Sequence, residues 1–296
     1  MRTLNPRLEE WNEYFERVKH TRHRNSELEN LTESFPTDFE RFNEEVIGRP
    51  VLPSTNQPNR LMRHQVDIAT YAGHYEIVNK SNKIGVTEAF LREGVWRGVV
   101  GDCRTYDLML GSSELPLSHE NMRRLTALFL NSDKLRPLVK EALVTRLVLY
   151  DGTRYVPMPS DPIALRSWPR VKWEFLDEAA HHGVLDDSEY FAAASSRLAN
   201  TNGWQRITST PRGQRGMFYD YSTRAMAGKL RMKYVELPYQ IGLGSFFNEE
   251  FIDEERERLG ALFEQEYECK FLTAQNAAIE SALVDSAVTD GSTEEW

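Results

Sequence analysis

The chain has 296 residues, of which 40% are hydrophobic and 27% charged, and its formal net charge is -9. This composition is typical of a soluble globular protein that can bury a core in one large domain or two small ones. The acidic balance excludes a surface that is basic all over, although a local basic stripe is compatible with it.

The sequence also argues against a membrane or secreted protein. Every apolar run falls short of the ~18 residues that predict a membrane span, and the N-terminus MRTLNPRLEEWNEYFERVKHTRHR is charged throughout, unlike a signal peptide. The two cysteines, Cys103 and Cys269, are far apart and give neither a disulfide framework nor a metal-ligand spacing. We therefore expect an intracellular protein.

The first sixty residues predict polar helix and then a connector, RPVLPSTNQPNR, whose prolines break regular structure near residue 60. After it, short apolar runs alternate with amphipathic segments, which indicates a parallel sheet with covering helices. The predicted strands are YEIVN (75–79), RLVLY (146–150), KWEFL (172–176), WQRITS (204–209) and MKYVEL (232–237). The predicted helices include SHENMRRLTALFLNS, DSEYFAAASSRLAN and the acidic EEFIDEERERLGALFEQEYE, which precedes a polar tail.

A glycine-centred loop, NKSNKIGVTEAFLREG, joins the first of these strands to a helix-like segment. It matches the phosphate-binding pattern G-x-x-x-x-G-K-[ST] at Gly85 and Thr87, with Lys80 at the place of the first Gly and Val86 at the place of the Lys. The motif is thus incomplete. Its alternative interpretation is a strand-to-helix turn with solvated lysines.

The residues of this loop could nevertheless hold a phosphate. N–H groups at a helix N-terminus point at an anion, Gly85 allows close backbone approach, and the Thr87 hydroxyl can ligate Mg²⁺. Lys80 and Lys83 stand earlier in the loop than the usual lysine. A long flexible ammonium can reach the phosphates from that point.

Two adjacent carboxylates, Asp177 and Glu178, directly follow the strand KWEFL. A strand of a parallel sheet delivers such residues to the carboxyl edge, where Asp177 can hold Mg²⁺ and Glu178 can orient the attacking water. The alternative is an acidic pair that caps the next helix. His181 and His182 follow, but adjacent histidines on a helix point to different faces, which argues against a zinc site.

A third polar strand end comes later in the chain, in ITSTPRGQRGMFYD. The strand ends in Ser209 and Thr210, whose hydroxyls could sense a γ-phosphate across the sheet edge, and Pro211 and Gly213 then turn the chain. This turn alone could be a surface loop. Three such elements in this order, each after a strand, indicate a nucleotide site.

The motifs KSNKIGVTEA, FLDEAAH, TSTPRGQRGMFY, YVELPY and FEQEYECKF together resemble the ATPase half of the large terminase subunit, the motor that packages DNA into capsids of tailed double-stranded DNA viruses. The resemblance covers roughly residues 60 to 275. Part of that family carries its phosphate-loop lysine early, in a K-S-x-[RK]-x-G-x-[ST] run. Lys80, Ser81, Lys83, Gly85 and Thr87 match this run.

This resemblance implies a role for each motif. Asp177 and Thr87 would hold Mg²⁺, Glu178 would be the catalytic Walker B carboxylate, and the Ser-Thr-Pro run would couple hydrolysis to movement. The implied nucleotide-binding residues are Gln65, Lys80, Ser81, Asn82, Lys83, Ile84, Gly85, Val86, Thr87, Ser209 and Thr210.

Two of the implied residues rest on weaker patterns. Gln65, in RLMRHQ, matches the glutamine with which family members read the adenine edge, although a single Gln after a basic segment is common. Arg166, in IALRSWPR, falls where relatives place an arginine that is supplied to a neighbouring subunit's nucleotide. Its alternative is an exposed arginine on a loop.

The fold implied is α/β: a P-loop NTPase of RecA/ASCE-like type, with a central mainly parallel sheet flanked by helices and a small helical lid. We expect an N-terminal helical lid segment and connector over 1–60, a P-loop ATPase core over 61–240, and a helical lid segment with a flexible tail over 241–296. Full-length large terminase subunits continue into an RNase H-like nuclease domain, for which too few residues remain here. We therefore expect an excised or split ATPase half without cutting activity, or a nuclease on another chain.

The implied function is an ATPase motor that couples Mg²⁺-dependent ATP hydrolysis to translocation of double-stranded DNA. Such a motor assembles as a homo-oligomeric ring with the capsid portal and the small terminase subunit, in the host cytoplasm and transiently at the procapsid portal, without a membrane. The alternatives are a helicase-like or remodelling ATPase, which would need a second RecA-like domain, and an assembly factor that binds ATP without turnover.

A basic run between residues 206 and 233 could contact DNA. Its cations face a single acid in the run, Asp220, whereas acidic residues concentrate after residue 248. A motor that passes any sequence would hold phosphates without reading bases. The alternative is a solvated face. The cations are Arg206, Arg212, Arg215, Arg224, Lys229, Arg231 and Lys233.

Overall fold

The computed structural model of the chain describes residues 26–52, 57–58, 60–159, 161–182 and 187–273. The strands in these ranges are β1 (Val51–Leu52), β2 (Gln57–Pro58), β3 (Tyr75–Lys80), β4 (Asp107–Ser112), β5 (Val139–Leu143), β6 (Arg146–Leu149), β7 (Arg154–Pro157), β8 (Val171–Asp177), β9 (Trp204–Ser209) and β10 (Lys233–Leu237).

The helices alternate with the strands along most of the chain. They are α1 (26–33), α2 (Phe39–Phe42), α3 (Arg63–Ala69), α4 (Val86–Val99), α5 (Leu115–Leu130), α6 (Pro162–Arg166), α7 (Ser188–Leu198), α8 (Gly216–Met226), α9 (Glu249–Leu259) and α10 (Leu262–Glu266). A π-helical turn, Asn43–Ile47, continues α2, and 3₁₀ turns span Arg136–Leu138, Ala179–His181 and Tyr239–Gly242. No helix among the described residues is long and apolar enough to cross a membrane.

One eight-stranded sheet, in the order β10-β3-β9-β8-β4-β7-β6-β5, organises the described residues, and β1 and β2 form a separate antiparallel pair. The strands from β10 to β7 are parallel, whereas β6 and β5 add an antiparallel edge. The predicted fold class, a mainly parallel sheet flanked by helices, is confirmed. The five predicted strands are present, but RLVLY belongs to the antiparallel edge as β6.

The strand order decides which polar ends meet. Strand β9 lies between β3 and β8, and the registers pair Asn79 with Ser209 and Leu176 with Ile207. Parallel strands present their carboxyl ends at the same edge of a sheet. The phosphate-loop segment, the acidic pair and the polar end of β9 therefore lie together at one edge.

Alternating side chains of the central strands pack on opposite faces of the sheet, as the period of a strand requires. On one face Val78 and Phe175 pack against α4 and α5, with Phe90 among the contacts. On the other face Ile77 and Leu176 pack against α7 and α8. The sheet is covered on both sides, which explains why its central strands read as apolar runs.

The segments before residue 60 and after residue 240 share the core of the α4–α5 face. Phe42 and Val46, near the beginning of the described chain, and Phe263 and Tyr267, near its end, belong to the same buried cluster. The predicted division into lid segments and core stays a prediction. The predicted N-terminal helix before residue 26, part of the connector (53–56 and 59) and the tail after 273 lie outside the described residues.

The acidic helix predicted over EEFIDEERERLGALFEQEYE is broken in the structure. Helix α9 ends at Leu259, and α10 begins at Leu262. Gly260 lies between them with a φ of 54°. Glycine adopts such left-handed angles without steric cost, so it permits the sharp change of direction between the two helices.

Fewer cations of the run between residues 206 and 233 are available at the surface than the sequence predicts. Arg206 is fully buried on β9, where its guanidinium donates to both oxygens of the buried Glu93 at 2.9 to 3.1 Å. Lys233 pairs with Glu76 at 3.0 Å. Burial raises the pKa of Glu76 to about 7, although Arg206 and Lys233 oppose the shift. Arg206 and Lys233 belong to a structural charge cluster. They are therefore not part of the basic surface predicted over residues 206 to 233.

The buried position of Arg206 gives a stability prediction. Arg206→Ala should lower the free energy of unfolding by about 3 kcal/mol, because the buried Glu93 loses its two-oxygen contact and keeps, among the described residues, only Arg97, at 2.6 Å, and because the Tyr71 and Gly73 carbonyls lose a donor. Arg224→Ala is the matched control from the same run, since Arg224 is exposed and pairs with Asp220 at 2.8 Å. An exposed pair contributes at most about 1 kcal/mol. Urea unfolding of the two variants measures the difference, and equal losses would contradict the structural role of Arg206.

Candidate active site

A cleft of about 830 Å³ opens at the carboxyl edge of the sheet, where β3 and β8 end and α4 begins. Its volume lies in the range of pockets that bind small molecules and cofactors. The described residues that line it include the predicted site residues Gln65, Lys80, Asn82, Lys83, Gly85, Thr87 and Glu178. The loop and Glu178 thus face one space, whereas Asp177 is buried and does not line it.

The loop between β3 and α4 needs glycine at position 85. Gly85 is the N-cap of α4 and has a left-handed φ of 77°. A Cβ atom there would lie 2.5 Å from Nε2 of Gln65 and 3.0 Å from the Phe246 ring. Both the backbone angle and the close neighbours therefore exclude a larger residue.

The rest of the loop is tied down through its backbone. The Ser81 N–H donates to the Leu237 carbonyl at 2.8 Å, and the Asn82 N–H donates to the Glu266 carbonyl at 2.9 Å. The Asn82 side chain also donates to Glu266, at 2.6 Å. Ile84 and Val86 bury their side chains in the core, so their backbone groups are what they can offer a ligand.

The two lysines of the loop occupy different surroundings. Lys80 is the last residue of β3, and its side chain is 6% exposed, with Nζ 2.8 Å from Oε1 of Glu178. Lys83 is exposed at the cleft and has a φ of 55°. Lys80 therefore lies inside the site beside the acidic pair, and Lys83 lies at the mouth of the cleft.

Asp177, the last residue of β8, receives hydrogen bonds on both carboxylate oxygens. Its Oδ2 accepts from the Thr87 hydroxyl at 3.0 Å and from Nδ2 of Asn121 at 3.2 Å, and its Oδ1 accepts from the Glu178 N–H at 3.1 Å. Burial raises the pKa of Asp177, and the charge of Glu178 raises it further, whereas Lys80 opposes the shift. The buried carboxylate is short of positive charge.

This arrangement fits a divalent cation. The Thr87 hydroxyl donates its proton to Asp177, so its lone pairs remain available, and oxygen ligands of this kind suit Mg²⁺. The described residues contain no cluster of three or more His, Cys, Asp or Glu side chains that could hold a metal by themselves. A cation here would need ligands from a bound molecule or water as well.

Glu178 adopts a left-handed backbone conformation, with a φ of 50°. Burial raises its pKa, but the charge and hydrogen bond of Lys80, together with His181 and the Thr210 backbone, hold the pKa below the ordinary value. The residue stays a carboxylate at neutral pH. It precedes the turn Ala179–His181 without any side-chain capping hydrogen bond, so the interpretation of Glu178 as a helix cap is wrong.

The hydroxyls at the end of β9 contact the turn after β8. Ser209 is buried and lies 3.5 Å from Oε2 of Glu178, while its oxygen accepts from the Ala180 N–H at 3.1 Å. Thr210, also buried, lies 2.9 Å from Nε2 of His181. The polar end of β9 thus contacts the cleft through Glu178, and it contacts His181 in the turn after β8.

The two histidines diverge as the sequence predicts. His181 faces Thr210, whereas His182 packs against the Tyr190 ring at 4.4 Å. Burial lowers the pKa of both imidazoles.

Gln65 uses both ends of its amide within the protein. Its Oε1 accepts from the Met62 N–H at 2.9 Å, and its Nε2 donates to the Gly85 carbonyl at 2.8 Å. The residue therefore fixes the glycine turn in this structure, and its reading of an adenine edge stays a prediction. The nearby Phe246 ring also lines the cleft and offers an apolar surface that no sequence motif predicted.

Arg166 is the last residue of helix α6, so its placement on a loop was wrong. Its side chain is 57% exposed and lies 3.6 Å from Glu189 at the start of α7. The described residues that line the cleft do not include it. Its exposure to solvent is compatible with a role in trans.

Helix α5 contributes two residues that sequence reasoning missed. Asn121 reaches Asp177, and Arg124 lines the cleft, 3.3 Å from Glu88 of α4. The available signal was weak: a polar residue at position 121 interrupts an apolar stripe that includes Met122 and Leu125.

The fold is that of the ATPase domains of phage large terminases. The ATPase domain of a Thermus phage large terminase aligns with a TM-score of 0.57 and 17% identity, over 73% of this chain and 94% of that domain. The HK97 bacteriophage large terminase aligns with a TM-score of 0.59 and 16% identity, over 75% of this chain. This chain spans about half of that protein, 53%.

The large terminase of a thermophilic bacteriophage in complex with ADP also aligns, with a TM-score of 0.55 and 12% identity, over 71% of this chain and 53% of that one. No protein-family model and no curated protein matches the sequence. At these identities the similarity establishes the fold, and the resemblance inferred from the motifs is confirmed at that level.

The positions of the two lysines predict unequal effects on nucleotide binding. Lys80→Ala should weaken binding of an ATP analogue more than Lys83→Ala, since a buried ammonium makes stronger charge-assisted contacts, worth roughly 1.5 to 3 kcal/mol. Lys140→Ala, on the edge strand β5, removes the same charge away from the cleft and is the control. Titration of a fluorescent ATP analogue gives the affinities. Normal binding by Lys80→Ala together with loss of binding by Lys83→Ala would reverse the assignment.

Proposed function

We propose that this chain is the ATPase motor domain of a viral DNA-packaging terminase, which couples Mg²⁺-dependent ATP hydrolysis to translocation of double-stranded DNA into a capsid. The observation that carries the proposal is the convergence of Lys80, Thr87 and Glu178 in one cleft of nucleotide size, with the buried Asp177 hydrogen-bonded to Thr87 behind the cleft wall. The complex of a similarly folded phage terminase with ADP supports the choice of ligand.

The phosphate loop would bind the triphosphate. Its backbone N–H groups at the start of α4 and the Lys80 ammonium supply positive potential, and Lys83 adds a second cation at the mouth. Gln65 and Phe246 lie beside Gly85 and would border the base. Thr87 and Asp177 would hold Mg²⁺, which when bound supplies positive charge beside the reacting phosphates.

Glu178 would orient and polarise the attacking water. A carboxylate whose pKa is held low by Lys80 is charged at neutral pH and can accept a hydrogen bond from water. The same ammonium is a natural partner for a phosphate oxygen. A bound triphosphate would compete with Glu178 for the Lys80 ammonium and weaken the ion pair between them. The Glu178 carboxylate could then rotate and accept a hydrogen bond from water. Binding of the triphosphate would in this way prepare the site for hydrolysis.

Movement would start from the end of β9. Ser209 contacts Glu178, and the chain continues from Thr210 into a loop, helix α8 and the turn after it, which together carry partly or fully exposed cations. These are the cations left for loose contact with DNA phosphates after Arg206 and Lys233 are assigned to the charge cluster: Arg212, Arg215, Arg224, Lys229 and Arg231. Assembly as a ring with the capsid portal and the small subunit, in the host cytoplasm, completes the proposal.

The acidic pair provides the test of this proposal. Glu178→Gln should bind ATP with near-normal affinity but hydrolyse it at least ~100-fold more slowly, because the amide keeps the shape and loses the carboxylate. Asp177→Ala should lose the Mg²⁺ dependence of binding as well. Phosphate release and analogue binding, measured with and without double-stranded DNA, separate the two variants.

The outcomes also separate the other candidate functions. Binding without turnover by the parent chain, even with DNA and portal, would favour an assembly factor. Separation of DNA strands would favour a helicase. Hydrolysis by Glu178→Gln at the parent rate would contradict the role of this carboxylate.

The exposed position of Arg166 predicts catalysis across a subunit boundary. Arg166→Ala and Glu178→Gln subunits should each be inactive in rings, yet a mixture should regain part of the activity, since some sites combine an intact Glu178 with an intact neighbouring Arg166. An arginine supplied in this way can raise phosphoryl transfer ~1,000-fold or more. ATP hydrolysis by mixed rings is the measurement.

A matched control mixes Asp177→Ala with Glu178→Gln. Both defects lie in the same cleft, so no mixed site is complete and activity should stay absent. Failure of the Arg166→Ala mixture to recover, in rings shown to contain both subunits, would place Arg166 outside the reaction of the neighbouring subunit.

A further inference from the structure

Helix α5 carries an amide on an otherwise mostly apolar buried face. That face consists of Ser118, Asn121, Met122, Leu125 and Phe129, and Asn121 is 4% exposed. Burying an amide costs free energy unless it is hydrogen-bonded. The Asn121 amide donates to Oδ2 of Asp177 at 3.2 Å. The hydrogen bond to Asp177 therefore explains why an asparagine lies at this position. If the residue only had to fill the core, an apolar side chain would be more favourable.

The carboxylate of Asp177 is oriented by donors from three elements. Thr87 of α4 and Asn121 of α5 both donate to Oδ2, and the backbone N–H of Glu178 donates to Oδ1. Thr87 is also the hydroxyl proposed to ligate the cation. Asn121 is thus the side-chain donor that can hold the carboxylate without itself taking part in ligation.

The chemical type of residue 121 suits this task. An amide N–H orients a carboxylate while leaving its negative charge available to a cation. A lysine or arginine would neutralise the charge and compete with Mg²⁺, and an aspartate would repel Asp177 and offer no donor. Groups that hydrogen-bond a ligating carboxylate fix its orientation and contribute to metal affinity.

We propose that Asn121 is the positioning residue of the magnesium site, holding Asp177 in the orientation in which it receives the cation. The inference rests on the proposed function, and it adds α5 to the elements that build the site. Because α5 also lines the cleft through Arg124, it connects the cleft wall to the metal carboxylate.

Two variants test this role. Asn121→Ala removes the donor, and Asn121→Leu removes it while keeping the volume and suiting the apolar surroundings, so at least one folded variant is expected. Ser118→Ala is the control, one turn earlier on the same buried face, where the hydroxyl donates to the Glu114 carbonyl within the helix. Thermal unfolding checks that each variant folds.

The measurement is the affinity for a fluorescent ADP analogue as a function of Mg²⁺ concentration. For both Asn121 variants, the Mg²⁺ concentration that gives half of the maximal increase in affinity should rise ~10-fold or more. This is the usual cost of losing a hydrogen bond to a metal ligand. Affinity without Mg²⁺ should stay within about twofold of the parent. Ser118→Ala should match the parent in both respects.

An unchanged Mg²⁺ requirement in a folded Asn121 variant would overturn the inference while leaving the proposed function intact. An equal loss of affinity with and without Mg²⁺ would also overturn it, because that pattern indicates general damage to the cleft. A parent chain that binds no nucleotide at any Mg²⁺ concentration would overturn both the inference and the proposed function.

Discussion

The ion pair between Lys80 and Glu178 is the contact on which the cleft depends. Lys80 ends β3 and Glu178 follows β8, and β9 lies between these strands, so the pair closes the sheet edge over the end of β9. It brings the phosphate loop against the acidic pair and keeps Glu178 charged. Because the ammonium is buried and a bound phosphate would attract it too, the same contact organises the cleft and would respond to a ligand.

The loop between β3 and α4 is held by a residue that precedes β3 and by residues near the end of the described chain. Gln65, before β3, fixes the carbonyl of Gly85, and Glu266, at the end of α10, binds the backbone and side chain of Asn82. The neighbouring Gln265 accepts from the Gly213 N–H in the loop after β9. Helix α10 therefore contacts both the phosphate loop and the loop that leads into α8. A shift of the loop between β3 and α4 would reach the loop that carries Arg212 and Arg215 through these contacts.

The sequence could predict what depends on local pattern, and it missed what depends on distant partners. Strands such as β3 and β9 were predicted from their apolar residues, and the motifs then located the site at their ends. Strand β4, DLMLGS, was missed although it is as long as β3 and pairs with β8 in the sheet; it begins with Asp107 and ends in glycine and serine, which are typical of turns. Arg206 read as a surface cation because its partner Glu93 lies 113 positions away. Asn121 gave little signal because Asp177 lies 56 positions away.

A structure of the chain with ATPγS and Mg²⁺ would test the central claim most directly, namely that one cleft at the sheet edge binds the nucleotide through the phosphate loop and the acidic pair. The account predicts phosphates over the backbone from Ser81 to Thr87, with the Lys80 ammonium on a phosphate oxygen and with Thr87 and Asp177 as the residues that hold the cation. Nucleotide bound elsewhere, for instance in the separate cavity of about 240 Å³ beside Arg104 and Asp151, would contradict it.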